Sequence, residues 1–408
     1  MRRSQSTISA AFVCHCAVGW LVQALQWPAG RAKATPALLV RLLVRAAAQG
    51  RSLSAVVREA DEAPSWEAVR TALRAVLPAD PNDLLPATTR ALHGRLPKAL
   101  RRRPRTMAVD LHLRPYYGTK DTPGTLRGQP KASTKTFFAY ATLLVIRRGQ
   151  TFTVGLTHVA RGEEQTAVLE RLLGQAEAAG LRVKKLLLDR GFYAATTIQW
   201  LQGRAIPFVM PMLRRGRPAR RKADCTGTER FFVRGRRGWD TYTWVARPRR
   251  GGRKQPAVSV CIDVCMAPRP RAARGRKGKR KGKRAGPLVY ACHGVRGTPE
   301  EVARWYRRRF RIETSYRQLG QGLAATSSTD RVYRLLLVAI ALVLRNVWVW
   351  LHGRYLAERG PQGRRLRLGL LPLATLLGWL VLALDKCLGI RPRGITVERR
   401  PAKAASGG

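Results

Sequence analysis

Two aspartates and one glutamate, far apart along the chain, are the residues best placed by type and setting to do chemistry. Asp110 interrupts the apolar run MAVDLHL, Asp189 closes the apolar run LLLD, and Glu313 sits within YRRRFRIETSYRQLG. Carboxylate oxygens are hard ligands, and a few of them, with substrate phosphate oxygens, suffice to hold Mg2+ or Mn2+. Two such ions roughly 3.5 to 4 Å apart can activate an attacking hydroxyl and stabilise the leaving oxygen in a displacement at phosphorus. The expected cofactor is therefore Mg2+ (or Mn2+), as two ions, with Asp110, Asp189 and Glu313 as ligands. Each acid also has an ordinary use. Asp110 can cap or pair locally, Asp189 can be a turn residue before Gly191, and Glu313 can neutralise Arg309 or Arg317.

The elements that must position these side chains can be read from periodicity. Glu300 to Gly320 reads as one helix, with Val302, Trp305, Ile312, Tyr316 and Leu319 forming an apolar stripe. Beside the stripe, helical geometry stacks Tyr306, Arg309, Glu313 and Arg317 into a row that mixes one carboxylate with guanidinium groups and an aromatic ring. Met107 to Leu113 reads as a strand with Val109, Leu111 and Leu113 on one face and Asp110 and His112 on the other. A long polar loop, PYYGTKDTPGTLRGQPKAST, follows and matches no Walker sequence, which excludes a P-loop. Phe137 to Arg147 and Thr151 to His158 read as a hairpin, Thr166 to Ala179 as a helix, and Val183 to Leu188 as a buried strand ending at Asp189. A short helix from Ala194 to Leu201 and a strand from Pro207 to Met212 complete the order. The order is that of a ribonuclease-H-like α/β fold, whose first and fourth strands lie side by side at the sheet centre. A late helix, the one carrying Glu313, would supply the third acid.

Charge narrows the function class. Lys and Arg total 77 against 24 Asp and Glu, a formal net charge of +53. Self-repulsion on that scale calls for a polyanion, and nucleic acid is the first candidate, with an anionic membrane surface as a rival. The apolar runs Leu335–Leu344 and Leu370–Leu384 are too short or too interrupted for a span of about 20 apolar residues and read as buried core helices. The N-terminal MRRSQSTISAAFVCHCAVGWLVQAL is interrupted by His15 and Gln23 and lacks a clean cleavage site, so it does not read as a signal peptide. Seven cysteines without disulfide-like or zinc-ribbon spacing read as thiols in a reducing compartment. The chain divides into a helical, DNA-binding region over 1–105, a first core part over 106–212, a β-rich basic insertion over 213–289, a second core part over 290–355 and a C-terminal helical region over 356–408. Within the first region, Leu53–Ala60 and Trp66–Leu77, with Ser65 as N-cap, are compatible with a helix-turn-helix. In the insertion, Phe231–Val233, Thr241–Ala246 and Val258–Met266 read as strands between the basic arms Arg214–Lys222, Arg247–Lys254 and Arg269–Arg284.

VDLHLRPYYG around Asp110, LLLDRGFYA around Asp189 and YRRRFRIETSYRQLG around Glu313 together resemble the DDE transposases of bacterial and archaeal insertion sequences, specifically the insertion-sequence-four group. The last stretch is similar to that group's pattern of Tyr, two residues, Arg, three residues, Glu, six residues, Lys, matched here by Tyr306, Arg309 and Glu313. The likeness covers about Met107 to Trp350. It implies that Asp110, Asp189 and Glu313 form the metal-binding triad and that Tyr306 and Arg309 hold phosphate or bases at the transposon end. Gly320 stands where the pattern has lysine, and Arg317 is the candidate substitute. The resemblance further implies cleavage at transposon ends and strand transfer into double-stranded target DNA by a homodimer, in the nucleoid of a bacterial or archaeal cytoplasm and without a membrane. Two other readings stand beside it: a related nuclease without strand transfer, and a basic DNA-binding protein without catalysis.

Overall fold

Period-two alternation builds the centre of the molecule, a computed structural model that describes residues 7–29, 34–147, 150–217, 225–246, 257–269, 286–360 and 363–391. The side chains of 150, 311–314, 359, 360 and 363–365 fall outside that description. Five helices come first: α1 (Ala10–Leu25), α2 (Pro36–Gln49), α3 (Leu53–Glu59), α4 (Trp66–Val76) and α5 (Pro81–His93). The strands β1 (Arg105–Pro115), β2 (Thr125–Lys131), β3 (Thr134–Arg147) and β4 (Gln150–Val159) follow. Then come α6 (Gln165–Ala178), β5 (Val183–Leu187), α7 (Ala195–Gly203), β6 (Phe208–Pro211), β7 (Gly238–Ala246), β8 (Val258–Ala267) and β9 (Leu288–His293). Helices α8 (Pro299–Arg307), α9 (Arg311–Gln321), α10 (Arg331–Leu351) and α11 (Leu373–Leu388) complete the core.

The strands form one mixed sheet in the order β2-β3-β1-β5-β6-β9-β8-β7, with β4 also paired to β3. The long β3 accommodates β2 and β4 end to end along its outer edge, β2 against residues 134–138 and β4 against 139–147. Taken alone, β4-β3-β1-β5-β6, with β3 antiparallel to β1, β5 parallel to β1 and β6 parallel to β5, is the ribonuclease-H-like arrangement expected from the element order. The strands of the insertion add to this sheet, because β9 pairs antiparallel with β6 and carries β8 and then β7.

Alternation divides the apolar residues between two faces. Met107, Val109 and Leu143 join the larger core with α6, α7 and α10, while Ala108, Leu144, Leu187, Val209 and Cys292 form a smaller one beneath Val302, Ala303 and Tyr306 of α8. The N-terminal helices share the larger core: α1 and α2 pack on α11, and α5 packs on α10 and β4. Helix α10 is long and apolar enough to cross a membrane by composition, but 94% of its apolar window is buried inside the protein. Its surface is already consumed by packing. Burial also pushes the thiol of Cys14 up to about 11 and that of Cys265 up to about 12, so both behave as small apolar side chains.

Among the described residues strand β4 has no strand on its outer side, and side chains from three helices serve its main chain there. The Asn346 amide of α10 accepts from Thr153 N at 3.0 Å and donates to Thr153 O at 2.7 Å and Leu92 O at 3.2 Å. Gln175 of α6 does the same for Leu156, accepting from its N and donating to its O, each at 2.9 Å. His93 of α5 donates to Val154 O at 2.6 Å, and Arg345 of α10 donates to Thr151 O at 2.8 Å. This cover suppresses the template for pairing with another chain that an open edge presents.

Three elements differ from the reading of the sequence. The polar stretch after Pro115 contains β2, whose residues show no alternation and which is recruited by main-chain pairing to β3. Phe231 belongs to a tight 3-10 turn, Gly227–Phe232, rather than to a strand. Glu300 to Gly320 is two helices, α8 and α9, joined by a 3-10 turn at Arg308–Phe310. Ser65 caps α4, accepting from Ala68 N at 3.3 Å, as its position suggested. Most of the three basic arms lies outside the described residues, as does the side chain of Ile312.

Replacing Asn346 with alanine strands buried polar groups of Thr153 and Leu92, and a loss of about 2–4 kcal/mol in urea unfolding is expected. A second expectation concerns acid. Burial holds His93 below its ordinary pKa despite its bond to Val154 O, so it must stay neutral in the fold. The unfolded chain then binds the extra proton first. Stability is full above the ordinary imidazole pKa of 6.5 and declines as pH falls below it, and His93→Gln should flatten that decline in Tm against pH.

Candidate active site

The meeting of Asp110 and Asp189 follows from strand register. Ala108 of β1 lies beside Leu187 of β5 in the parallel pair, and each aspartate is two residues further along the chain. Both therefore emerge just past the paired segment of two neighbouring parallel strands, Asp110 in the middle of β1 and Asp189 beyond the last residue of β5. Beyond β5, Leu188 N donates to Val209 O at 3.1 Å, and Asp189 then opens the 3-10 turn Arg190–Phe192. Strand register thus brings the two acids side by side.

Helix α8 crosses this face. Its start is set by a capping box, in which Thr298 accepts from Glu301 N at 3.3 Å and Glu301 accepts from Thr298 N at 2.9 Å, with Pro299 in the first turn. Over β5, the Lys185 ammonium sits 3.1 Å from the centre of the Trp305 ring. Burial, with Lys184 and Arg308 nearby, pulls that ammonium down to about 8. Past Arg307 the chain tightens into the 3-10 turn, which rotates each residue further than an α-helix does. Arg309 points inward as a result.

Arg309 is the centre of the site. Its side chain is only 8% exposed, with one terminal nitrogen 3.3 Å from Asp110 Oδ1 and the other 3.7 Å from Asp189 Oδ1. One planar cation therefore spans two carboxylates that would otherwise repel. Burial alone would lower its pKa, but Tyr306, Asp189 and Asp110 more than offset this and raise it. The guanidinium also lies 5.5 Å from the centre of the buried Tyr306 ring and 5.4 Å from that of the half-exposed Phe310. Burial pushes the Tyr306 phenol far above its usual range, so it stays neutral. Asp110 is 13% exposed and Asp189 43%, which leaves one of the two open to an approaching ligand.

Helix α9 is docked onto Asp110 itself. The Tyr316 hydroxyl donates to the Asp110 carbonyl at 3.0 Å, which leaves Thr142 Oγ1 as the donor in its 2.7 Å bond to the same hydroxyl. Thr142 is the residue directly opposite Asp110 in the β1–β3 pair. The Tyr316 ring stacks on His112 with centroids 4.5 Å apart, and burial lowers the His112 imidazole to about 4, so it is neutral. On the other side, Arg345 Nε donates to Gln318 Oε1 at 3.0 Å, tying α9 to α10.

The structure thus joins Asp110, Asp189, Arg309 and Tyr306. Glu313 lies on α9, three positions before Tyr316, and its side chain is outside the described residues. Arg317 is on the same helix and exposed. Sequence reading missed Tyr316 as a polar group, because it fits the apolar stripe. It missed Thr142 altogether, although a threonine within the apolar run FFAYATLLVI was a signal. Two hard carboxylates converging on one positive group, one of them solvent-accessible, are a donor set suited to a divalent cation. Among the described side chains no cluster of three or more His, Cys, Asp or Glu is formed.

Tyr316→Phe keeps the stacked ring and deletes both hydroxyl bonds. It should cost about 1–2 kcal/mol, and a double-mutant cycle with Thr142→Val should return a coupling of about 1 kcal/mol in chemical denaturation. Full additivity would mean that the two hydroxyls do not work together.

Comparison with known families and structures adds three findings. A family profile described as a transposase DDE domain matches residues 102–345. No curated protein matches the chain. Among solved structures, the chain is similar to the piggyBac transposase in its cryo-EM synaptic complex with hairpin DNA, at 10% identity and a TM-score of 0.45, covering 95% of this chain and 74% of that one.

Proposed function

The chain belongs to the transposase DDE domain family, and from that premise we propose that it is a DNA transposase that cuts phosphodiesters at transposon ends and transfers the strand into target DNA. The observation that carries this reading is the convergence of Asp110, in the middle of β1, and Asp189, just past the end of β5, on one buried guanidinium. Glu313 is the third acid of the proposed triad, and the docking of α9 on the Asp110 carbonyl supports its place. The spacing of Tyr306, Arg309 and Glu313, with an insertion between Asp189 and Glu313, supports membership of the insertion-sequence-four group.

Asp110, Asp189 and Glu313 would hold Mg2+ or Mn2+, as two ions. Bound there, the metal supplies Lewis-acid stabilisation for charge developing on the attacking and leaving oxygens. The chain's own residues do the rest. Tyr316 fixes the main chain at Asp110, and Arg309 holds both carboxylates in orientation until the substrate arrives. On the same reading Arg309, backed by the buried Tyr306 ring, and the exposed Arg317 serve phosphates and bases of the transposon end. Open space surrounds the Cβ position of Gly320, so packing does not demand glycine where the family pattern has lysine. The net charge of +53 draws double-stranded DNA through counterion release. The working unit is a homodimer on paired ends, and its site of action is the nucleoid of a bacterial or archaeal cell.

The test is to incubate the full chain with its own element's ends, with MgCl2 or with EDTA, and to map cut and joined products. Cutting and joining should need the metal, and Asp189→Asn should reduce them by about 100-fold or more, several kcal/mol of lost charge stabilisation. Cut ends that are never joined would point to the nuclease reading. Cutting that survives both EDTA and Asp189→Asn would sink the proposal.

A further inference from the structure

Further along β1, on the same face as Asp110, Arg114 opens into a cavity of about 420 Å³. Its walls are Arg114, Tyr116 and Tyr117 at the end of β1, Tyr140 of β3, Arg334 of α10 and the linker 323–327. Among the described residues no carboxylate lines it. Arg334 is held in place: its guanidinium covers the Phe138 ring at 4.3 Å, and its nitrogens donate to the carbonyls of Ser328 and Thr326. Those partners are neutral. The charges that bear on Arg114 are Tyr140 and Tyr117, and those that bear on Arg334 are Tyr140, Tyr116 and Arg114, with no acid among them. Burial pulls both guanidinium groups below their ordinary pKa.

Tyr140 is 3% exposed, pairs with His112 in the β1–β3 register, and its hydroxyl has no hydrogen-bond partner among the described residues. Two partly buried cations with no acidic partner among the described residues, beside a phenol that bonds to none of them, are poorly compensated in the free protein. One tetrahedral oxyanion relieves all of it. Guanidinium groups match its oxygens with pairs of donors, and a third oxygen remains for the phenol. A planar carboxylate has too few oxygens for all three.

We propose that this cavity is a phosphate site, and that its occupant is a backbone phosphate of the DNA strand that runs past Asp110 and Asp189. The second half of this statement rests on the transposase reading, while the first does not. Arg114 is four residues along β1 from Asp110, about 13 Å at the rise of an extended strand, a distance that a DNA strand covers in a few nucleotides. At the rim, the Tyr117 ring is 70% exposed with its hydroxyl donated to Ala132 O at 3.0 Å, which leaves the ring face free to stack on a base.

The test uses the full chain in EDTA, so that binding is read apart from cutting. Inorganic phosphate is titrated calorimetrically into wild type, Arg114→Gln and Tyr140→Phe, and a labelled duplex is titrated by anisotropy over a range of salt. Wild type should bind phosphate and both variants should bind it poorly. Arg114→Gln should weaken duplex binding about tenfold and lower the salt slope by about one. Tyr140→Phe removes a neutral donor, so affinity should fall a few-fold with the slope unchanged. The Phe variant keeps the ring that fills the wall, so the test survives if the arginine variant fails to fold. Lost phosphate binding with unaltered duplex binding would assign the site to a free phosphate compound and overturn the DNA assignment. Unaltered binding of both probes would overturn the site itself. Failure of the chain to cut its ends would leave these binding results standing, and the two readings are separated in that way.

Discussion

The clasp of Arg309 on Asp110 and Asp189 is the constraint around which the rest is arranged. Two parallel strands in register bring two negative charges side by side, and a cation between them offsets their repulsion. The cation comes from a turn rather than from a regular helix, because the tightening at Arg308–Phe310 directs the guanidinium inward. The small core beneath α8 holds that turn against the sheet, with Tyr306 as its last buried ring. Removing the turn would leave an uncompensated acid pair. The fold therefore arrives at an organised acid pair with its own counter-ion already in place.

Rigidity around the clasp has two sources. On one side α9 is bound to β1 through Tyr316 and to α10 through the Gln318–Arg345 pair. On the other, Arg345 and Asn346 bind the outer edge of β4, and His93 reaches the same strand from α5. Arg345 is deeply buried and pulled down to about 10, a costly placement that makes sense for a group bridging a helix and a strand end. The same contacts that close the sheet edge also join the N-terminal helices to the sheet in one core.

Charge explains the distribution of function over the surface. With 77 basic residues against 24 acidic ones, most cations have no acidic partner to spare. Some acids are committed to helix starts, such as the Glu301 capping box and the Asp330 cap of α10, and others already pair with arginines, as Glu163 does with Arg171. Unmatched arginines that are also partly buried, Arg114 and Arg334, stand apart from the solvated majority, because water cannot screen them fully. Such positions are where a polyanion gains more than diffuse attraction.

Local pattern carried much of this protein. Alternation around Asp110, the apolar run before Asp189 and the helical stripe of α8 and α9 were legible in the sequence, and with them the element order of the sheet. These signals are legible because they depend on neighbours within one turn or one strand. Strand β2 was hidden because nothing in TLRGQPK alternates, and its state is decided by pairing with β3. The break at Arg308 was hidden because arginines favour helix, and the turn answers to packing on the sheet. The Tyr316–Asp110 bond and the Arg114–Tyr140–Arg334 cavity join residues from separate elements. Which of those side chains meet depends on register and strand order, and so on the fold as a whole.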